Sequence, residues 1–265
     1  MSSRKDFLVE IGTEELPPKA LLILSNEFRR GIEVGLGVKL LAHGESETYA
    51  TPRRLAVRIK DLVTRQEDQS VARRGPAVSA AFDAAGNPTK AATGFAKSCG
   101  VEVGALGRTQ NDKGEWLSFD AEIQGESTNL LLPAIVSESL SKLPIPKRMR
   151  WGSGTVEFVR PVHWIMMLHG NEIINGTILN VESGRITRGH RFHSPAPIKL
   201  DSSEDYPGVL QSAGFVIASF EQRRELIAKG SQDLAAQLGA AIVDHIHVCF
   251  IIILFDAIPN QYNSI

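Results

Sequence analysis

The spacing of apolar and polar residues predicts both strands and amphipathic helices along this chain. Short apolar or alternating runs, which are typical of strands, occur at residues 7–11, 48–50, 55–60, 116–123, 162–168, 173–179 and 215–218. Helical patterns cover residues 19–34, 89–99, 127–143, 201–214 and 220–237. Strands that follow one another across short turns favour antiparallel ladders, and the helices between them argue against an all-β fold. The pattern therefore predicts an α+β fold of mixed, mainly antiparallel sheets with packed helices, in more than one subdomain.

Breaks in this pattern divide the chain into four regions. Residues 1–143 form an N-terminal α/β region, and residues 144–200 form a basic, strand-rich region that begins where Pro144 ends a helix. Residues 201–243 are the helical start of a further region. From residue 244 the chain changes character, and its apolar run of eight residues is shorter than the about 20 that cross a bilayer. We expect residues 244–265 to be an aberrant or non-family tail, produced by a shifted reading frame or an insertion.

Four side chains are assigned roles by their position in these elements. Glu14 and Glu15 precede two prolines, and acids suit the positive end of a helix dipole. They are therefore predicted to lie in a first helical turn, with acid–base chemistry as the alternative. Leu130 is predicted to lie on the buried face of its helix. Cys99 has no cysteine or histidine at the spacing of a metal site, so it is predicted to be a buried thiol.

Composition favours a globular protein of a reducing compartment. Of the 265 residues, 43% are hydrophobic and 22% are charged, and the net charge is −1. Such a balance creates no overall attraction to nucleic acid or to a membrane, so any attraction must come from a local patch. The two cysteines cannot form a disulfide framework, and the N-terminus lacks the apolar run of a signal peptide. We expect a cytoplasmic protein with no membrane association.

Basic residues are concentrated between residues 144 and 193, where seven Lys and Arg accompany three acids. Cations attract phosphate, while aromatic rings and guanidinium planes stack on unpaired bases. Two further basic stretches, residues 53–54 and 73–76, are predicted to be turns. The predicted phosphate contacts are Arg53, Arg54, Lys147, Arg148, Arg150, Arg160, Arg188 and Arg191. The candidates for stacking or hydrogen bonding are Trp151, His190 and His193. The same composition equally fits a solvated face, with the arginines paired to acids and the aromatics in the core.

The sequence contains no complete set of catalytic residues. His190 and His193 have the spacing of a metal pair, but no cysteine or carboxylate adjoins them, and zinc usually takes three or four protein ligands. Phosphate-binding P-loop, nucleophile-elbow and dinucleotide-binding motifs are absent from the sequence. We therefore predict no catalytic residue and no metal site. A metal-dependent hydrolase built on the two histidines is kept as a hypothesis that metal analysis can test.

Seven stretches together resemble one known family. They are FLVEIGTEELPP at residue 7, ATPRRLAV at residue 50, RRGPA at residue 73, GNPTKAA at residue 86, PIPKRMRW at residue 144, FVRPVHW at residue 158 and TRGHRFH at residue 187. In this order they are similar to the N-terminal part of the beta subunit of bacterial glycyl-tRNA synthetase. The similarity covers about residues 6–243.

The resemblance implies a role in joining glycine to its tRNA. The family's enzyme has two alpha and two beta subunits, and its alpha subunit holds the glycine and ATP sites. ATP, with magnesium, is therefore expected at the alpha subunit, and no cofactor is expected on this chain. The expected partners are the alpha subunit and glycine tRNA, which leaves two roles open. The chain either binds tRNA and assembles with the alpha subunit, or it is a non-catalytic assembly module that holds no RNA. This chain alone is expected to be inactive.

Overall fold

The structure, a computed structural model, describes residues 3–83, 85–111 and 114–239. Their contacts form two compact units. Unit 1 comprises residues 3–65 and 127–239 of the described chain, and unit 2 comprises Gln66–Glu126. Unit 2 is therefore an insertion within the sequence of unit 1. The boundaries predicted at residues 143 and 200 both fall inside unit 1, and as domain boundaries they stay predictions. The tail predicted at residues 244–265 lies outside the described residues.

Helices and antiparallel strands are both abundant, and the predicted α+β class is confirmed. The strands are β1 (Arg4–Thr13), β2 (Ser46–Thr51), β3 (Arg54–Val63), β4 (Gln69–Ala77), β5 (Gly107–Asn111), β6 (Gly114–Ile123), β7 (Met149–Arg150), β8 (Glu157–Phe158), β9 (Val162–His169), β10 (Glu172–Ile173), β11 (Thr177–Ile178), β12 (Val181–Gly184), β13 (Ile186–Arg188) and β14 (Pro197–Lys199). The helices are α1 (Pro18–Val38), α2 (Val78–Ala81), α3 (Lys90–Cys99), α4 (Thr128–Ser141), α5 (Tyr206–Ser212) and α6 (Phe220–Gln237). Short 3-10 turns occur at Val103–Ala105 and Ser203–Asp205.

The main sheet of unit 1 is built around β1. Its strand order is β11, β12, β9, β1, β3, β2, and β10 pairs with β9. β1 pairs antiparallel with both β3 and β9, whereas β12 runs parallel to β9. β1 is covered on both faces, because Phe7, Val9 and Ile11 join one hydrophobic cluster and Leu8 joins another. This double burial explains why β1 reads as an almost continuous apolar run.

Helices α1 and α4 cover one face of this sheet. α1 begins at Pro18, a position that tolerates proline because the first N–H has no helical partner. Its buried stripe, at helical spacing, consists of Leu21, Leu24, Phe28, Ile32 and Leu36. Gly31 allows the two helices to approach closely, since a Cβ there would lie 2.3 Å from Oγ of Ser139. On the other face of the sheet, Tyr206 and Leu210 of α5 pack into the cluster around Leu8.

Unit 2 is a small sheet with two helices. Its strands lie in the order β4, β6, β5, all antiparallel. Ala81 of α2, Ala92 of α3 and Leu117 of β6 form its buried centre. The guanidinium of Arg74 lies 3.8 Å above the Trp116 ring. Residues 73–76, predicted as a basic turn, are part of β4, so that prediction was wrong, because this segment pairs with β6. The absence of a side chain at Gly75 leaves room for the ring of Phe95.

Two strand predictions in unit 1 were wrong in a similar way. Residues 173–179 do not form one strand. They contribute to two short strands, β10 and β11, which are separated by residues 174–176. Residues 215–218 form no strand, although Val216, Ile217 and Ala218 are buried. In residues 215–218 the apolar run reports burial without a ladder, whereas in residues 173–179 the pairing with β9 and β12 is interrupted.

Two side-chain predictions also require correction. Leu130 is 75% exposed and lies on the outer face of α4, because Leu131 and Leu132 take the buried positions of that turn. Cys99 is only half-buried at the end of α3. An exposed Leu130 leaves an apolar position on the surface of unit 1.

Candidate nucleic-acid interface

A buried polar cluster lies beneath the candidate surface. Glu10, in the middle of β1, has no exposed surface. Its carboxylate accepts hydrogen bonds from Nε1 of Trp164 and from Oγ1 of Thr187, the latter at 2.7 and 3.0 Å. Nη1 of Arg54, which is 1% exposed, lies 3.8 Å from the same carboxylate. A buried carboxylate requires such donors, because removal of its hydration is otherwise very costly.

This cluster fixes the position of β13 on the main sheet. Thr187 belongs to β13, and Nη2 of Arg54 donates to the backbone oxygen of Arg188 at 2.5 Å. The pKa of the neighbouring Tyr206 is raised, first by its complete burial and then by the charge of Glu10. These hydrogen bonds therefore fix the end of β13, from which the backbone continues to residues 190–193. Burial also removes Arg54 from the side chains that a phosphate on the surface can reach.

Four separate segments converge at the end of β1 to form a surface groove. The amide of Thr13 donates to the oxygen of Arg53 at 2.8 Å, and that of Glu14 donates to Pro161 at 3.0 Å. A turn at residues 190–193 closes the remaining side. The groove has a volume of about 500 Å³ and is lined by Glu15, Leu16, Pro17, Pro18, Pro52, Arg53, Arg160, His190, Arg191 and Phe192. We call it the arginine groove.

Three guanidinium groups face the arginine groove. Nε of Arg160 donates to the backbone oxygen of Glu15 at 2.9 Å, which holds the side chain against the groove floor. Nη2 of Arg191 lies 3.3 Å from Oε2 of Glu14. Arg53 is half-buried in the wall. A guanidinium carries five donors, so the three contacts of Arg160 with Glu15, Met149 and Val159, made by Nε and Nη1, leave the N–H groups of Nη2 for an anionic ligand.

Glu14 balances part of this positive charge. Its carboxylate lies 2.9 Å from Nε2 of His163 as well as near Arg191. Partial burial opposes ionisation, but the hydrogen bond with His163 and the charges of Arg191 and Arg53 lower the pKa of Glu14. The prediction that Glu14 and Glu15 lie in a first helical turn was wrong, because α1 begins only at Pro18.

The turn at residues 190–193 carries the histidines predicted from the sequence. Nδ1 of His190 accepts the backbone N–H groups of Phe192 and His193 at 3.2 and 3.3 Å. The rings of His190 and His193 lie 4.5 Å apart. Phe192, between them, is 82% exposed. Of the predicted site residues, Arg53, Arg160, His190 and Arg191 are thus brought together, and the ring of His193 lies tilted against that of His190.

The remaining candidates lie outside the lining of the arginine groove. Lys147 and Arg148 are exposed, and Nη2 of Arg148 donates to the oxygen of Ser141 at 2.8 Å. Arg150 pairs with Glu157 at 2.8 Å across the short ladder of β7 and β8. Trp151 is half-buried against the main core. The exposed Arg188 lies with its guanidinium 6.0 Å from the Trp164 ring.

Metal-ligand clusters and membrane-spanning helices are two features that the described residues lack. Across the described ranges, no group of three or more His, Cys, Asp or Glu side chains could hold a metal ion. His190 uses Nδ1 to accept backbone hydrogen bonds, which occupies one of its two possible ligand atoms. No helix in the described part of the chain is long and apolar enough to span a membrane.

Sequence reasoning missed three features of this surface and of the cluster beneath it. Glu10 was not identified as a buried acceptor, although a charged residue inside the apolar run of residues 7–11 is a visible signal. The rim position of Phe192 was not identified either, since an aromatic residue in a basic segment has no pattern that separates core from surface. The Glu14 and His163 pair joins residues 149 apart, and no local pattern predicts such a contact.

The fold and the groove define the class of this molecule: an α+β protein with an arginine-lined surface groove. The family model described as the glycyl-tRNA synthetase beta subunit matches residues 7–249. The glycine–tRNA ligase beta subunits of Marinobacter nauticus and Hahella chejuensis are each 51% identical to this chain, over 91% of it and 35% of their own length. That of Klebsiella pneumoniae is 48% identical over 89% of this chain and 34% of its length. The chain belongs to the glycyl-tRNA synthetase beta subunit family. It spans about a third of the length of these relatives.

Proposed function

We propose that this chain supports the ATP-dependent attachment of glycine to tRNA by binding the tRNA and assembling with a catalytic alpha subunit. In this proposal the alpha subunit holds glycine and ATP with magnesium, and the enzyme contains two alpha and two beta subunits in the cytoplasm. The arginine groove of this chain contacts the tRNA backbone. Membership of the family supports the role in glycyl-tRNA synthesis.

One observation supports the RNA contact above all others. Arg53, Arg160 and Arg191 come from segments far apart in sequence, and the fold brings them to one open groove. Roughly half to two-thirds of protein–DNA hydrogen bonds go to phosphate and sugar, and arginine and lysine are among their donors. Arginine suits this role because its planar fork of donors matches phosphate.

The RNA contact is tested by the salt dependence of binding. Glycine tRNA binding to the whole chain is measured by fluorescence anisotropy at several salt concentrations, with Arg53→Gln, Arg160→Gln and Arg191→Gln. Removing a cation that pairs with one phosphate reduces the slope of log affinity against log salt by about 0.7 to 0.9. The matched control is Arg30→Gln on α1, because Arg30 is exposed and does not line the arginine groove. Equal slopes for all four variants and the wild type would contradict the proposal.

A charging assay tests the wider role. Glycine attachment to tRNA is measured with the alpha subunit alone, with this chain added, and with a full-length beta subunit. We expect charging above the level of the alpha subunit alone, and less of it with Arg160→Gln. No gain while the two chains still co-purify would favour the second candidate function.

The second candidate is an assembly module that binds the alpha subunit without RNA. Its support is the outer face of α1 and α4, where Val34, Val38 and Leu130 are 55%, 73% and 75% exposed. A groove of about 310 Å³ runs between these two helices. Exposed apolar patches of this kind are common at protein interfaces. This candidate predicts that Val34→Ser with Val38→Ser abolishes co-purification with the alpha subunit. The substitutions in the arginine groove are expected to leave co-purification unchanged.

A further inference from the structure

Phe192 differs from the other apolar residues on the surface. Its 82% exposure is the highest among the large hydrophobic side chains of the described residues, and it is the only aromatic ring in that exposed set. A single exposed apolar residue needs no special explanation. Phe192, however, lies at the rim of the arginine groove and follows Arg191 directly.

The turn that carries Phe192 is held at several points. The amide of His190 donates to the oxygen of Gly214 at 2.7 Å, and that of Ser194 donates to the oxygen of His190 at 2.9 Å. Inside the turn, Nδ1 of His190 accepts the N–H of Phe192. Gly189 lies so close that a Cβ there would be 2.6 Å from the oxygen of Gly214. A ring presented on a fixed turn loses little conformational entropy when a ligand stacks on it.

The groups around Phe192 fit a nucleotide. The His190 ring lies 6.0 Å from that of Phe192 and is tilted against it, and the 82% exposure of Phe192 leaves its ring accessible to a ligand. Because Nδ1 of His190 accepts two backbone N–H groups, the ring proton of its neutral form is on Nε2, which makes Nε2 a donor. Guanidinium groups for a phosphate and an open ring for a base therefore occur in one groove.

We propose that the arginine groove binds an unpaired nucleotide of RNA, with its base stacked on Phe192 and its phosphate held by Arg53, Arg160 and Arg191. This inference rests on the proposed function and specifies which part of an RNA the groove accepts. Inside a duplex each base is covered by its neighbours, so only an unstacked base can offer a face to Phe192. The volume of about 500 Å³ is that of a small-molecule site.

The test compares a single-stranded with a double-stranded RNA. Anisotropy titrations of the whole chain use a short oligouridylate, which forms no stable pairs, and a blunt RNA duplex of the same length. Phe192→Leu removes the ring but keeps an apolar side chain, and we expect it to weaken oligouridylate binding about tenfold. Duplex binding and both salt slopes are expected to stay unchanged. Phe192→Trp keeps a stacking surface and is expected to retain oligouridylate binding.

Control variants separate this inference from the proposed function. Leu238→Ala removes a similarly exposed apolar side chain, at the end of α6 and outside the arginine groove, and is expected to change neither titration. If Phe192→Leu binds oligouridylate like the wild type while Arg160→Gln still weakens tRNA binding, the stacking inference is overturned and the proposed function stands. If both variants bind tRNA like the wild type, both proposals are overturned. If free uridine monophosphate binds as tightly as oligouridylate, the arginine groove is a site for a free nucleotide, and the proposal that it binds RNA is overturned.

Discussion

The carboxylate of Glu10 and the guanidinium of Arg54 form the most deeply buried ion pair of the described residues, at 3.8 Å. Replacing one partner of a buried pair leaves the other charge without compensation, whereas the pair itself contributes little. We expect Glu10→Gln to lower the free energy of unfolding by about 3 to 5 kcal/mol, as measured by urea denaturation.

Glu138→Gln provides the control for this prediction. Glu138 pairs with Lys142 at 2.6 Å on the exposed face of α4, where solvent screens the interaction. The urea midpoint of this variant is expected to match the wild type. Equal midpoints for Glu10→Gln and Glu138→Gln would show that the buried carboxylate has no special role in stability.

His169 should make stability depend on pH. It is 1% exposed, with Nδ1 2.8 Å from Oδ1 of Asn129. Burial lowers its pKa below the ordinary value of 6.5, so the unfolded chain takes up a proton more readily than the folded chain. Stability is therefore fully present above about pH 6.5 and falls as the pH falls towards the lowered pKa. Urea unfolding between about pH 8 and about pH 5 measures this loss.

The variant His169→Gln isolates this contribution from that of the carboxylates. Gln has no group that titrates in this range, so its unfolding free energy should change less with pH than that of the wild type, even though the variant is less stable overall. The same pH dependence in both proteins would assign the effect to other residues.

At the residue scale the sequence shows which positions carry polar side chains, but it does not predict the partners of those side chains. Glu10 is recognisable as a charge within an apolar strand, but Thr187 lies 177 residues away from it. The two adjacent arginines also look alike in the sequence, and only the fold separates Arg53, which lines the arginine groove, from the buried Arg54. Side-chain partners depend on tertiary structure, which local patterns do not contain.

Close contact between β1 and β9 gives a prediction at the scale of elements. The Trp164 ring lies over Gly12, where a Cβ would be 1.9 Å from Cε2 of that ring. We expect Gly12→Ala to destabilise unit 1 by about 1 to 3 kcal/mol, because the ring must move and it also donates to Glu10. Gly184→Ala is the matched control in the same sheet, since a Cβ at Gly184 meets nothing within 4 Å. If the two variants unfold at the same urea midpoint, the contact between Gly12 and the Trp164 ring does not exclude a side chain at residue 12.

Long elements were predicted better than short ones. The helix predicted over residues 220–237 is α6, and the strand predicted over residues 162–168 is β9 with one further residue. Repeated apolar spacing over several turns leaves little ambiguity. In residues 215–218, by contrast, three buried apolar positions fit a strand, but the segment forms no ladder, although the oxygen of Ala218 accepts the amide of Ala50 in β2. Short apolar runs report burial, and pairing depends on which backbone lies alongside.

Removal of unit 2 gives a prediction for the whole molecule. Arg65 and Ser127, which flank it, form an antiparallel bridge, and the amide of Thr128 donates to the oxygen of Thr64 at 3.0 Å. The hydrophobic clusters of unit 1 include no residue of unit 2. We expect a chain in which a short Gly-Ser linker replaces residues 66–126 to unfold cooperatively by circular dichroism and to keep the salt-dependent RNA binding of the arginine groove. A non-cooperative transition would mean that unit 1 needs unit 2 to fold.

The arrangement of the whole chain was the least predictable level. Unit 2 contains fewer Leu, Ile and Val residues than residues 1–65, but this shift does not reveal that the chain returns to unit 1 after residue 126. The arginine groove combines segments near residues 15, 53, 160 and 191, and only two of these lie in the basic segment that the sequence emphasised. Both the insertion of unit 2 and the assembly of the arginine groove depend on contacts between residues that are distant in the sequence.

The central place of β1 has a consequence for the order of events during synthesis. β1 and β3 are complete once residue 63 is made, but the second partner of β1 ends at His169. At about 5 to 20 residues per second, a ribosome needs about 5 to 20 s to make the residues between. During that time one edge of the first strand has its backbone groups unpaired, which is the condition under which nascent chains associate with one another. Slow translation between β3 and β9 would lengthen the exposure to chaperones and to neighbouring chains.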